Sequence, residues 1–203
     1  SPYLQDRTVM TNFEPHYTYH PAWAARVVKK INSDFHVDIS STLSFSTIVS
    51  AFLPVKFYDY RPAFLNLDNL VSESADLNHL PFADNSLRSL SCMHVVEHIG
   101  LGRYGDKIDP EGDIKAINEL KRVVAPGGSL LFVVPVGKSK MVFNAHRIYS
   151  FDGVVKNFKD FELKEFSLVP DNFRETGMIH NANPSLVEEQ DWGCGCFWFI
   201  KKN

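Results

Sequence analysis

Glycine is missing from the first 99 residues of this 203-residue chain; the first of its 11 glycines is Gly100. That absence excludes a glycine-rich nucleotide loop from the N-terminal half, where backbone would have to come close to a ligand at positive φ. Cysteine is scarcer still. Three residues, an odd number, make no disulfide framework, so the expected setting is reducing and cytoplasmic. The longest apolar runs, such as residues 130–136, fall far short of the roughly 20 residues that span a bilayer, and no membrane partner is expected. Neither sign of charge dominates: 21 basic and 24 acidic residues leave a net charge of −3. Nucleic acid and anionic membrane therefore lose their electrostatic case as partners. The opening SPYLQDRTVM has no charged segment followed by an apolar one, so no signal peptide is expected. It lacks an initiator Met, which leaves room for an upstream segment.

What is present is a chain of ordinary globular composition, 44% hydrophobic and 22% charged, expected to form one domain over 1–203. A helical lead-in covers 1–31, with His20-Pro21 opening a helix to Ile31. Residues 35–39 (FHVDI) read as a short buried strand. Ser40-Ser41-Thr42 cap a helix to Phe52 whose apolar face is Leu43, Ile48, Val49 and Phe52. Residues 55–58 form the next strand, closed by Asp59, and 64–74 is ambiguous, with room only for a short helix. A strand over 89–95 ends in Glu97-His98; a helix over 110–124 starts at Asp109-Pro110. The turn Pro126-Gly127-Gly128 leads to a buried strand over 129–134. A loop follows, then a helix from the Ser150 cap to about Phe158 and a strand over 162–169. A polar stretch over 170–195 without periodicity precedes the last strand, 196–201. Alternating strands and helices predict a doubly wound, mostly parallel α/β sheet of seven strands.

In nucleotide-binding folds of this kind an acid at the end of the second strand accepts hydrogen bonds from ribose hydroxyls. Asp59 stands there, 21 residues beyond Asp38 at the end of the first strand. Its other reading is a turn-forming Asp before Arg61-Pro62. Ser40 and Ser41, with the helix N-terminus behind them, offer hydroxyls and amides to a carboxylate. His94-Val95-Val96-Glu97-His98 formally matches H-x-x-E-H, but a histidine closing a strand does not share a helical face with its mate, and no metal ligand is assigned. Cys194 and Cys196, with no second ligand pair, are read as structural.

The order of parts between Asp76 and Pro135 resembles the second half of a class I S-adenosylmethionine-dependent methyltransferase. The strings EHIGLGRYGDKIDP (97–110) and FNAHR (143–147), with HYTYHPAWAAR (16–26), resemble the motifs of a narrower uncharacterised methyltransferase-like family. The resemblance implies a Rossmann-like sheet with an antiparallel last strand and S-adenosylmethionine as cofactor. Asp38, Ser40, Ser41 and Asp59 would lie around the cofactor, with Asp76 near the adenine amino group and Leu77 on the base. Comparable members carry glycine after the first-strand Asp-Ile, where this chain has Ser40. Glu97 and His98 would then stand among the substrate and catalytic groups. His98 and His146 are the candidate catalytic residues, His98 as a general base or else as a histidine bonded to the next loop. Arg103, Tyr104, Asp106, Asn144 and Arg147 would bind a small polar acceptor, or else form a salt-bridge network pinning two loops together. Tyr17, Tyr19, His20 and Trp23 form either a flap or an aromatic helix docked on the sheet. Two functions remain: methyl transfer to a small polar acceptor, or a non-catalytic ligand- or partner-binding domain that has lost the cofactor loop.

Overall fold

A computed structural model describes residues 9–203; the first eight residues, on which part of the leader reading rests, lie outside the described residues. The elements in chain order are α1 (Pro15–Ile31), β1 (His36–Ile39), α2 (Leu43–Val49), β2 (Val55–Asp59), β3 (Leu70–Ser74) and β4 (Leu87–Met93). Then come α3 (Gly112–Val123), β5 (Val124–Val136), β6 (Lys140–Val142), β7 (His146–Ile148), α4 (Phe151–Asn157), β8 (Phe161–Val169), α5 (Phe173–Thr176) and β9 (Gly193–Lys201). Seven strands form one sheet in the order β3-β2-β1-β4-β5-β9-β8. Strands β1 to β5 run parallel, whereas β9 is antiparallel to both its neighbours. The expected mostly parallel sheet with an antiparallel last strand is therefore the observed one.

Burial on both faces explains the strand sequences. Along β5, Leu130, Phe132, Val134 and Val136 enter the core that holds α3 and α4, while Leu131 and Val133 enter the core under α1 and α2. This period of two in a wholly apolar run is what a central strand covered on both sides requires. Helix α1 buries His16, His20, Trp23, Ala24, Val27 and Val28, one stripe at helical spacing, so the aromatic lead-in is a docked helix. Tyr17, on its flank, stays half exposed.

Several element boundaries differ from those expected. Helix α1 starts at Pro15, capped by the Glu14 carboxylate on the Tyr17 amide (2.6 Å), so Pro21 lies inside it. Helix α2 keeps the Thr42 cap but buries Phe45, Ser46 and Val49, leaving Leu43, Ile48 and Phe52 exposed. The ambiguous 64–74 segment ends in strand β3 at the sheet edge, and residues 137–149 hold the β6–β7 hairpin. Helix α3 begins at Gly112, after an Asp109 turn, and β9 begins three residues earlier than expected.

Candidate functional site

Between β1 and β4 the strand order reverses, and the loops leaving the carboxyl ends part to open a crevice. A cavity of about 520 Å³ lies there, lined by Ser40 after β1, Asp59 at the end of β2, Asp76 and Leu77 after β3, and His94 and His98 after β4. The volume suits a nucleoside-sized ligand. Asp59 Oδ1 accepts the Arg61 amide (2.7 Å), and Asp76 Oδ1 accepts the Asn78 amide (2.8 Å). Each aspartate thus closes a turn and lines the cavity at once. Helix α3 holds the Asp76 turn in place: Glu119 accepts the Leu80 amide (2.8 Å), and Arg122 donates to the Phe82 and Leu80 carbonyls.

Ser40 has φ 53°, a left-handed conformation that costs an L-residue about 1–2 kcal/mol. Its amide and hydroxyl both donate to the Tyr58 carbonyl, at 2.7 and 3.2 Å. Behind the loop lies a buried polar chain. Ser46 and Ser91 hydroxyls donate to the two oxygens of Asp38, and His36 bridges Ser91 and Ser89 at 2.9 and 2.7 Å. Burial pushes the Asp38 carboxyl up to about 6, against the pull of its serine hydrogen bonds. Burial alone drives the His36 imidazole down to about 3.

A second cavity, about 500 Å³, shares Ser40, His94, His98 and Tyr104 with the first and reaches Glu97 and His146. His98 Nδ1 lies 2.6 Å from the Ala145 carbonyl and 3.1 Å from Arg103 Nη1; the shorter contact is to an acceptor, so that nitrogen carries the proton and Nε2 keeps its lone pair. Glu97 is buried beside it, with Oε1 3.7 Å from His98 Nε2 and 2.9 Å from His94 Nδ1. Glu97 Oε2 is buried without a partner. Burial is the main force lowering the His146 pKa, with the neighbouring His98 adding to it. The His146 ring meets Trp192 edge-on at 4.3 Å, and Trp192 stacks on His16 at 5.9 Å.

The solved structures that superpose on this chain are largely methyltransferases. The N-methyltransferase NodS from Bradyrhizobium japonicum WM9, in complex with S-adenosyl-l-homocysteine, matches with a TM-score of 0.60 at 11% identity, over 95% of this chain and 90% of that one. A putative methyltransferase from Bacillus halodurans C-125 matches with a TM-score of 0.59 at 13% identity, over 90% of this chain and 100% of that one. The chain has a methyltransferase fold. The [4+2]-cyclase SpnF shares it, with a TM-score of 0.58 at 13% identity over 90% of this chain and 80% of that one, so the fold alone does not select the reaction. A family model described as Caenorhabditis protein of unknown function, DUF268, matches residues 75–168. The uncharacterized protein MJ0638 of Methanocaldococcus jannaschii is 31% identical over 102 residues, 48% of this chain and 38% of that protein. The chain thus spans under two fifths of the length of that curated relative.

Within the methyltransferase fold, Ser40, Asp59, Asp76 and Leu77 line the first cavity, and Ser40, Ser41, Glu97, His98 and His146 the second. Asp38 lies behind the lining, wholly buried among serines. Arg103 and Tyr104 form the outer rim, with Arg103 donating to the Ala145 carbonyl (3.2 Å). Asp106 accepts the amides of Gly100 (2.8 Å), Gly102 (3.3 Å) and Tyr104 (3.1 Å), folding the glycine-bearing loop upon itself. Two residues expected at the substrate sit elsewhere. Arg147 is buried outside both cavities, donating to the Ile99 carbonyl (2.7 Å) and pairing with Asp113 (3.5 Å), because a guanidinium buried there needs both an acceptor and a counter-charge. Asn144 takes φ 54° at the exposed tip of the β6–β7 turn, a conformation Asn tolerates. The residues of the H-x-x-E-H match meet at Glu97 Oε1, but their remaining nitrogens part: His98 Nδ1 faces Ala145, and His94 Nε2 faces Cys194. His16 and Trp192, both missed in the sequence, reach the second cavity from α1 and from the aperiodic 170–195 segment. Among the described residues no helix is long and apolar enough to cross a membrane.

Proposed function

We propose that this chain is an S-adenosylmethionine-dependent methyltransferase acting on a small polar acceptor. The observation that carries the reading is the pair of adjoining cavities at the carboxyl ends of the parallel strands. One is lined by four aspartates, Asp59 and Asp76 at the strand ends among them, and by an apolar wall, the other by a buried Glu97 between two histidines. The lining of the first fits the cofactor: Asp59 to accept from ribose hydroxyls, Asp76 to accept from the adenine amino group, Leu77 to pack on the base. Ser40 and Ser41 are left for the amino-acid end. The cofactor, when bound, supplies an electrophilic methyl group. The protein's own part is to hold the acceptor in line with it and to remove a proton, so positioning provides most of the rate. His98 Nε2, its other nitrogen committed to Ala145, takes that proton, and Glu97 at 3.7 Å steadies the imidazolium that forms. His146 stands across the same cavity, its lowered pKa keeping it neutral and able to orient an acceptor hydroxyl or amine.

One observation favours the rival, a non-catalytic binding domain. Ser40 puts a Cβ and a hydroxyl into the loop where glycine would allow the closest backbone approach. Calorimetric titration of S-adenosylmethionine and S-adenosylhomocysteine into the wild type and Asp59→Ala separates the two. Micromolar binding that the substitution abolishes supports the enzyme. No heat at millimolar ligand, from folded protein, overturns it.

A further inference from the structure

In the wall of the second cavity lies a cluster whose His16, His20 and Cys194 the proposed reaction does not use. Helix α1 brings His16 and His20 inward at i, i+4 spacing, and His94 follows β4 at φ 57°, a backbone twist that turns its ring toward α1. Cys194 enters from the start of β9. One ligand atom each from His16, His94 and Cys194 can be chosen so that all three lie within 4.8 Å of one another, and all three residues are buried. The His94 ring stands 5.2 Å from that of His16 and 5.1 Å from that of His20.

The hydrogen bonds fix which nitrogens are left for a ligand. A carbonyl or carboxylate oxygen only accepts, so the ring nitrogen facing it must carry the proton. His16 Nε2 faces the Trp192 carbonyl at 3.0 Å, His20 Nδ1 faces the His16 carbonyl at 2.6 Å, and His94 Nδ1 faces the Glu97 carboxylate at 2.9 Å. A neutral ring then keeps one lone pair: Nδ1 on His16, Nε2 on His20 and Nε2 on His94, the last against a pKa that, over the opposing pull of burial, Cys194 and Glu97 hold up to about 10. His20 Nε2 is buried with no partner, and Cys194 has at most one weak thiol proton to offer, with Cys196 Sγ competing at 3.8 Å. A buried acceptor without a donor costs about 1–3 kcal/mol. Imidazoles whose second nitrogen is held by an oxygen acceptor are the usual arrangement of metal-ligating histidines, and a carboxylate on His94 is the commonest form of that support.

We propose that His16, His94 and Cys194 bind a borderline-soft divalent transition metal, Zn²⁺ by its preference for nitrogen and thiolate ligands. The spacing agrees. Tetrahedral Zn–S and Zn–N bonds put sulfur and nitrogen about 3.6 Å apart, and Cys194 Sγ lies 3.5 Å from His94 Nε2. Binding releases to solvent the Cys194 thiol proton and, where the ring is charged, the His94 Nε2 proton, and no electron moves. Hard cations such as Mg²⁺ and Ca²⁺ lack the oxygen ligands they need here. His16 and His94 also line the second cavity, so a fourth ligand from solvent or an acceptor has a route to the ion. The metal site does not require S-adenosylmethionine to bind, although it shares His94 and the second cavity with the methyltransferase reading.

The test uses the full chain, stripped with chelator and titrated with Co²⁺ as a spectroscopic stand-in. One equivalent should produce a thiolate-to-cobalt band in the near ultraviolet and intense visible absorption of a four-coordinate ion, both abolished by competing Zn²⁺. Cys194→Ser should remove the near-ultraviolet band, His16→Gln should weaken binding at least tenfold, and Cys92→Ser should change neither. Saturating Zn²⁺ should raise the Tm of wild type but not of Cys194→Ser. Absence of the cobalt spectrum from protein folded by circular dichroism, or its persistence in Cys194→Ser, overturns the site.

Discussion

Gly100 and Gly105 lie in one loop at nearly the same backbone angle, φ 78° and 84°, and differ in what surrounds them. A Cβ on Gly105 would meet nothing within 4 Å. A Cβ on Gly100 would run into the Asp109 carbonyl oxygen, deep inside van der Waals contact, with Gly112 Cα only 3.2 Å away. Gly105→Ala therefore bears only the left-handed penalty of about 1–2 kcal/mol, less the few tenths to 1 kcal/mol gained by stiffening the unfolded chain. The net loss is about 1 kcal/mol. Gly100→Ala adds an overpacking term of about 1–3 kcal/mol, for a total near 2–4 kcal/mol. With a urea slope of about 2–3 kcal/mol/M, typical of this size, the midpoint should fall by about 0.4 M for Gly105→Ala and by about 1–1.5 M for Gly100→Ala. Urea melts followed by fluorescence and far-ultraviolet circular dichroism measure both. Equal losses in the two variants would refute the claim that the Gly100–Asp109 approach, and not the glycine count of the loop, fixes this wall of the cavity.

Three further outcomes are expected. Ser40→Gly removes the left-handed strain but loosens the chain, so stability should change by under about 1 kcal/mol while S-adenosylhomocysteine binds more tightly in calorimetry; weaker binding would show that the serine side chain aids the ligand. Arg147→Met leaves Asp113 buried without its cation and should cost about 3–5 kcal/mol, and a loss below 1 kcal/mol would return Arg147 to a surface role. Folded-state pKa values depressed to about 4 in His16, about 3 in His36 and well below normal in His20 mean that the unfolded chain takes up these protons first. That stability is present above pH 6.5 and lost as pH falls. The raised Asp38, at about 6, contributes the opposite slope. Among these four groups, three histidines against one carboxyl leave about two protons, or roughly 2–3 kcal/mol per pH unit between pH 6 and 4.5. Chevron or melt data flat across that window would falsify the buried neutral histidines.

The sheet was legible because its signals are local. Residues 129–134 read as a buried strand from an unbroken apolar run, and Ser150 and Thr42 announce their helices by capping. Asp59, Asp76 and Leu77 could be placed because strand order puts them at one edge. Helix α2 was turned to the wrong face because Ser46 is drawn inward by Asp38, a polar burial that hydrophobic spacing cannot reveal. Arg147 looked like a ligand-binding arginine because its acceptors, the Ile99 and Pro110 carbonyls, are backbone atoms, and any sequence supplies those. His16 meets Trp192 across 176 residues, and nothing in either neighbourhood announces the contact.

The antiparallel strand β9 lies between β5 and β8, both of which precede it in the chain. Until it is threaded in, β5 offers an open edge and β8 has no sheet to join, since among the described residues β9 is the one sheet strand it pairs with. A ribosome-bound chain short of residue 193 would hold the half of the fold that carries Asp59 and Asp76 while lacking Cys194. The crevice between β1 and β4 is lined wholly by residues made before β9, whereas the histidine–cysteine cluster needs Cys194 of that strand beside α1.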